Sequence, residues 1–244
     1  MCFTGVSVFG RTASNVFVRE NLGQKKREQL ADQLRSISGF KNLRFDRDGA
    51  LQLGPMGDFG SSSARELLLQ AVNGDRVIII EDASSRSDIA FCRVVPGRWL
   101  SNNGSKLQAF VVQIDFADFQ QVSGDDEARA AFNVGWGFLH ELDHVVSDHE
   151  DAEAPGLVGE CESHINKMRQ ELGLPVRTEY FVSQSALRLD PNFNSKFVRL
   201  AFEQRDRQTA RTRRHWLVWD ATAVGGLVVN RQTASVHSVP RIVN

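Results

Sequence analysis

Trp136-Gly137-Phe138-Leu139-His140-Glu141-Leu142-Asp143-His144-Val145-Val146 is the stretch on which the reading of this chain turns. His140 and His144 are four apart, so on a helix they stand one turn above each other and can bind one ion. Glu141 is rotated about 100° from His140 by the helical period, beside the pair and not between its members. That position suits a proton acceptor better than a ligand, which is the mechanical content of an H-E-x-x-H motif. The surrounding residues are apolar around most of the helix: Ala131, Phe132, Val134, Trp136, Phe138 and Leu139 before the first histidine, then Leu142, Val145 and Val146. Such a helix is expected to be buried. Buried and unpaired, its histidines and carboxylate would cost several kcal/mol, and a metal ion satisfies them together. The plainer alternative is a surface helix with incidental His and Glu side chains.

The motif and its flanks resemble the zincin metallopeptidases, with uncharged Leu139 before the first histidine and Val145-Val146 after the second. Asp143 departs from that pattern, in which the two residues before the second histidine are usually uncharged. The resemblance implies a Zn2+ ion held by His140 and His144. It also implies a mixed sheet with an edge strand over the active-site helix. Ser147 and Glu150 stand where the metzincin branch has Gly and His, so the gluzincin branch, with a glutamate from a second helix, is the closer likeness. Glu160, sixteen positions after His144, is the expected third ligand, with Glu162 the alternative and His149 or His164 the remaining candidates. Tyr180, the only tyrosine, is the candidate oxyanion stabiliser by the same likeness. A fainter resemblance links Glu160 to Tyr180 (ECESHINKMRQELGLPVRTEY) with H-E-x-x-H peptidases among bacterial effectors and toxin-associated domains.

Outward from the motif, apolar spacing predicts a helix over 24–37 and a hairpin about Asp48-Gly49. Ser61-Ser62-Ser63 caps a second helix through Val72, and Val77 to Ile80 reads as a buried strand. Phe91 to Leu100 is a weaker strand, broken by Pro96-Gly97, whereas Leu107 to Phe116 is the strongest and the candidate edge strand for substrate. Ser123-Gly-Asp-Asp126 is expected to open one long helix to about Asp148. A second helix over 157–172 carries the apolar stripe Leu157, Cys161, Ile165, Met168 and Leu172. After Tyr180 the pattern is mostly strand: 196–202, 216–219 and 226–229. The fold expected is α+β, with a zincin-like metallopeptidase domain over 1–180 and a β-rich extension over 181–244 packed on the same domain.

The 244 residues are long enough for a substantial core, and a formal net charge of -1 gives no global attraction for nucleic acid or membrane. Basic runs at 25–27 and 211–214 read as solvated surface. Three cysteines without paired spacing argue against a disulfide framework, and Cys161 reads as a buried free thiol. No leader and no apolar span emerge, so a soluble protein is expected, cytoplasmic or exported without a recognisable signal. The function expected is a zinc hydrolase cleaving peptide bonds through a zinc-activated water, with Glu141 as general base. The alternative is a zinc-stabilised binding module whose metal is closed by a fourth protein ligand, His149, His164 or Cys161.

Overall fold

Alternation of apolar side chains builds the first layer of the structure, a four-stranded sheet with helices on one face. The computed structural model describes residues 14–84, 86–100, 106–154, 156–179, 183–185, 197–206 and 209–225. In chain order the first elements are β1 (Val16–Val18), α1 (Gln24–Ser38), β2 (Arg44–Phe45), β3 (Leu51–Gln52), α2 (Ser62–Asn73) and β4 (Val77–Asp82). There follow β5 (Cys92–Leu100), β6 (Lys106–Ile114), α3 (Phe116–Gln120), β7 (Ser123–Gly124), α4 (Asp126–Ala130) and α5 (Val134–Val146). The last are α6 (Glu160–Glu171), β8 (Val176–Arg177), β9 (Ser183–Ser185), β10 (Phe197–Arg205) and β11 (Thr212–Asp220). The class is mixed α+β, as the order of sequence patterns implied.

The first sheet runs β1-β4-β6-β5, with β5 antiparallel to β6 and the other neighbours parallel. Ile78, Ile80, Val112 and Ile114 point to the face covered by α1, α2 and α5, while Val77, Ile79, Ala109 and Val111 form a smaller cluster on the other face. This is the period-2 alternation expected of a sheet with apolar groups on both sides. The second sheet, β7-β11-β10-β8 with β9 beside β10, joins strands from before and after residue 180 in one hydrogen-bonded unit.

Three expectations from the sequence are corrected. β6 is not an edge strand, because β4 and β5 occupy its two sides; among the described residues the edges are β1 and β5. Pro96 does not break β5. The Asp115 N–H donates to the Phe91 carbonyl at 2.7 Å, so residues 91, 93 and 95 face β6 while 92, 94 and 96 direct their backbone groups to the open side. A proline there removes no ladder bond. The third correction concerns the long helix, which divides at Asn133. Its side chain accepts from the N–H groups of Gly135 and Trp136, capping α5 afresh. Ser123 pairs with Val218 instead of capping, and the Asp125 carboxylate accepts the Trp216 N–H at 2.8 Å.

At the far end of α6, Glu171 caps a different helix. Its carboxylate accepts from the Ser61 hydroxyl (2.6 Å), the Ser63 N–H (3.1 Å) and the Ser63 hydroxyl (2.7 Å), fastening α6 to the N-terminus of α2. Burial works against the charged form, but the Ser61 and Ser63 donors outweigh it and bring the carboxyl to about 2. Glu171→Ala should lower stability by about 1 kcal/mol in urea unfolding at pH 7. The folded-state value is depressed, so this contribution is present above about 4.5 and fades as pH falls toward 2. The variant and the parent should therefore converge in acid.

Candidate metal centre

α5 is buried around nearly its whole girth, and His140, Glu141 and Asp143 are carried inward with Trp136, Phe138, Leu139 and Leu142. The helix ends at Val146, and Asp148 takes a left-handed conformation (φ 60°) that turns the chain back under the histidines. The Glu150 carbonyl then accepts the N–H groups of Glu160 and Cys161 at 3.1 Å each, joining the loop to the first turn of α6. Asp151 pairs with Gly159 across this loop. Gly159 is at φ 81°, and a Cβ there would lie 2.4 Å from the Ala152 nitrogen, so a glycine is required.

This return brings the Asp151 carboxylate to the histidines. Its Oδ1 lies 3.1 Å from His140 Nε2 and 3.5 Å from His144 Nε2, and the two Nε2 atoms are 3.2 Å apart. The Nδ1 atoms are engaged elsewhere. His144 Nδ1 lies 2.6 Å from the His149 carbonyl, which can only accept, so that nitrogen carries the proton and Nε2 presents its lone pair. His140 Nδ1 lies 3.4 Å from Cys161 Sγ and 3.5 Å from Glu162 Oε2. Two imidazole nitrogens and a carboxylate oxygen thus converge from one side, each histidine oriented from behind as metal-binding histidines are.

Cys161 belongs to the same close group of possible ligands. Its sulfur, however, contacts the Nδ1 side of the His140 ring, behind the nitrogen that meets Asp151. Burial pushes its thiol up to about 12 in the metal-free chain. Burial also opposes a charged His140, yet the Cys161 sulfur, Asp151 and Glu162 raise its affinity for a proton well above that of an ordinary histidine. His144 moves down, through burial and then through His140 beside it. One positive charge shared between the rings is what the surroundings favour, and a cation at the Nε2 atoms would supply it.

Glu141 is 2% exposed, and its Oε2 has no hydrogen-bond partner among the described residues. Burial pushes its carboxyl up to about 7, with Asp151 adding repulsion, while His140 and the Val94 N–H on the open edge of β5 offset part of the rise. Beside it is a cavity of about 40 Å3, lined by Phe91, Phe119, Phe132, Trp136 and Gly137, with room for about one water molecule.

Glu160, the expected third ligand, is not brought to the Nε2 atoms. Glu160 opens α6 with its side chain exposed, while Asp151 from the preceding loop meets the Nε2 atoms. Glu162 is fully buried but committed to Arg169 and to Arg177 (3.1 Å), on the Nδ1 side of His140. Burial would raise its carboxyl, but the two arginines hold it well below the usual range. His149 and His164 do not meet the Nε2 atoms either; they donate to Asp143 Oδ2 at 2.8 Å and Oδ1 at 2.7 Å. Tyr180 lies outside the described residues. Asp151 was missed because it sits in a polar run, Asp148-His149-Glu150-Asp151, whose only pointer is its place seven residues after His144 before a glycine-bearing turn. No family model, curated protein or solved structure matches the chain.

Stability of the metal-free protein should register the buried Glu141. Its folded value, about 7, lies above the ordinary 4.5, so the folded state retains a proton that the unfolded chain releases. The Glu141 contribution to stability is then greatest below about 4.5 and falls as pH rises to 7, by on the order of 3 kcal/mol. Glu141→Gln should flatten that slope in denaturant titrations of chelator-treated protein, and an unchanged slope would contradict this account of the pocket.

Proposed function

We propose that the chain is a zinc-dependent hydrolase, and within that class a metallopeptidase acting on peptide or protein substrates. The observation that carries the reading is the convergence of His140 Nε2, His144 Nε2 and Asp151 Oδ1 beside a buried carboxylate, Glu141, on the same helix. Three protein ligands are the number found in catalytic zinc sites, which leave one position open. Zinc, when bound, supplies a Lewis acid that acidifies water and polarises a carbonyl. Glu141, buried beside the histidine pair on the same helix, is placed to accept a proton from that water and return it to a leaving amine. The Val94 N–H steadies it at the open edge of β5. That edge, not β6, is the candidate track for an extended peptide, held by backbone bonds to outward carbonyls such as those of Val94 and Pro96.

A second reading, a zinc-stabilised binding module, draws on the proximity of Cys161 to the histidines. A closed His140–His144–Asp151–Cys161 shell requires the sulfur to reach the Nε2 side, which its contact with Nδ1 disfavours.

Metal analysis of purified protein should give about one zinc per chain. His140→Ala, His144→Ala and Asp151→Ala should each lower zinc affinity sharply, whereas Glu160→Ala should leave it intact. Glu141→Gln should keep the metal and lose about 10²–10⁴-fold or more of turnover on a mixed peptide library. Iron in place of zinc, or full metal content in Asp151→Ala, would overturn the ligand set. Full activity in Glu141→Gln would overturn the mechanism while leaving the centre in place.

A further inference from the structure

Asp143, the residue that breaks the zincin pattern, is completely buried, and its carboxylate is held by three donors from different places. Ser147 Oγ, at the end of α5, donates to Oδ1 at 2.7 Å; His164 Nδ1, from α6, reaches Oδ1 at 2.7 Å; His149 Nδ1, from the loop, reaches Oδ2 at 2.8 Å. Both oxygens are therefore in use. The His149 backbone carbonyl in turn accepts from His144 Nδ1. We propose that Asp143, through His149 and His164, is the positioning residue that sets Asp151 against the two histidines; this rests on the reading of His140, His144 and Asp151 as metal ligands.

The case is geometric. Asp151 has a short side chain on a loop, and a loop ligand is useful only if its backbone is fixed in advance, since ordering one residue costs on the order of 1–2 kcal/mol. The pins nearest to Asp151 are the Glu150 carbonyl on the α6 amides, the bridge to Gly159 and the two bonds of His149. All but the His149 bonds tie the loop to its own end and to α6. α6 itself meets α5 at one ring, where Cys161 and Glu162 back His140, and through the apolar core they share. The Asp143 bonds to His149 and His164 tie the loop and α6 to α5, where the two histidines stand. One carboxylate thus fastens both the loop that carries the third ligand and the helix behind it to the helix that carries the other two. His149 and His164 are only partly buried (side chains 35% and 23% exposed), so they can be replaced without opening the core.

The same three residues lie close enough together to attract a metal of their own. The direct 2.7–2.8 Å approaches of both imidazoles to the carboxylate are hydrogen-bond distances, and they explain the cluster without an ion.

The test uses the full chain with Co2+ in place of zinc, whose visible absorption reports the geometry of its ligands. His149→Ala and His164→Ala should remain folded by circular dichroism, bind one Co2+ per chain roughly ten- to a hundred-fold more weakly, and show an altered absorption band. His164→Asn and His149→Asn place an amide N–H near the lost Nδ1 and should restore affinity and band toward the parent, a rescue that mere loss of packing would not show. Parent-like affinity and absorption in both alanine variants would overturn the positioning role. Two Co2+ per chain in the parent, falling to one in His164→Ala, would replace it with a second metal site. Absence of Co2+ binding by the parent would defeat the metal centre itself, and the positioning role with it.

Discussion

A helix enclosed on nearly all sides has to find a partner for every ionisable group it carries, and α5 carries four within five residues. The low polarity around Phe138, Leu139 and Leu142 makes an unsatisfied charge there expensive. The neighbouring elements answer one by one: His140 is backed by Glu162 and Cys161, Asp143 by Ser147, His149 and His164, and His144 by a loop carbonyl. Only Glu141 keeps an oxygen without a partner among the described residues. Loop, second helix and edge strand take their places from these obligations as much as from apolar contact.

The arginines show how the demand spreads. Glu162 behind His140 would itself be an isolated buried charge, and Arg169 and Arg177 neutralise it. Arg169 also donates to the Ala131 carbonyl and lies over the rings of Trp136 and Phe202, with its carbon 5.2 and 5.5 Å from their centres. Trp136 belongs to the core of the first sheet and Phe202 to that of the second. A single guanidinium thus couples the two apolar clusters to the charge balance of the histidine site, at a position where lysine could not make the same planar contacts.

Local periodicity made α1, α2, β4, β6 and the motif helix legible in the sequence, because each has an apolar pattern that only one kind of element buries. Tertiary choices were not legible. Whether Pro96 ends a strand depends on which way its missing N–H would point, and that is decided by pairing with β6. Asn133 divides a continuous apolar stretch because its side chain is free to cap, a possibility that Ser123 and Asp126 matched equally well on paper. The same divide runs through the site. His140, Glu141 and His144 follow from spacing on one helix. Asp151 depends on hydrogen bonds from His144, Glu160 and Cys161 to the loop backbone, and nothing in the run Asp148 to Asp151 distinguishes its carboxylate from its neighbours.

The open side of β5 has an unusual polarity. Of its outward amides over residues 92–96, that of Cys92 bonds to the Ala90 carbonyl, that of Val94 lies toward the Glu141 carboxylate, and Pro96 has none. Over residues 92–96 this border therefore offers acceptors and no spare donor. Along this stretch another copy of the chain approaching as a neighbouring strand could form only half of a ladder, which discourages the sheet extension through which exposed edges aggregate. A peptide lying against residues 92–96 would be gripped by its own N–H groups, and within that stretch it could gain a donor by drawing Val94 away from Glu141. Seating a strand and freeing that carboxylate would then be one event.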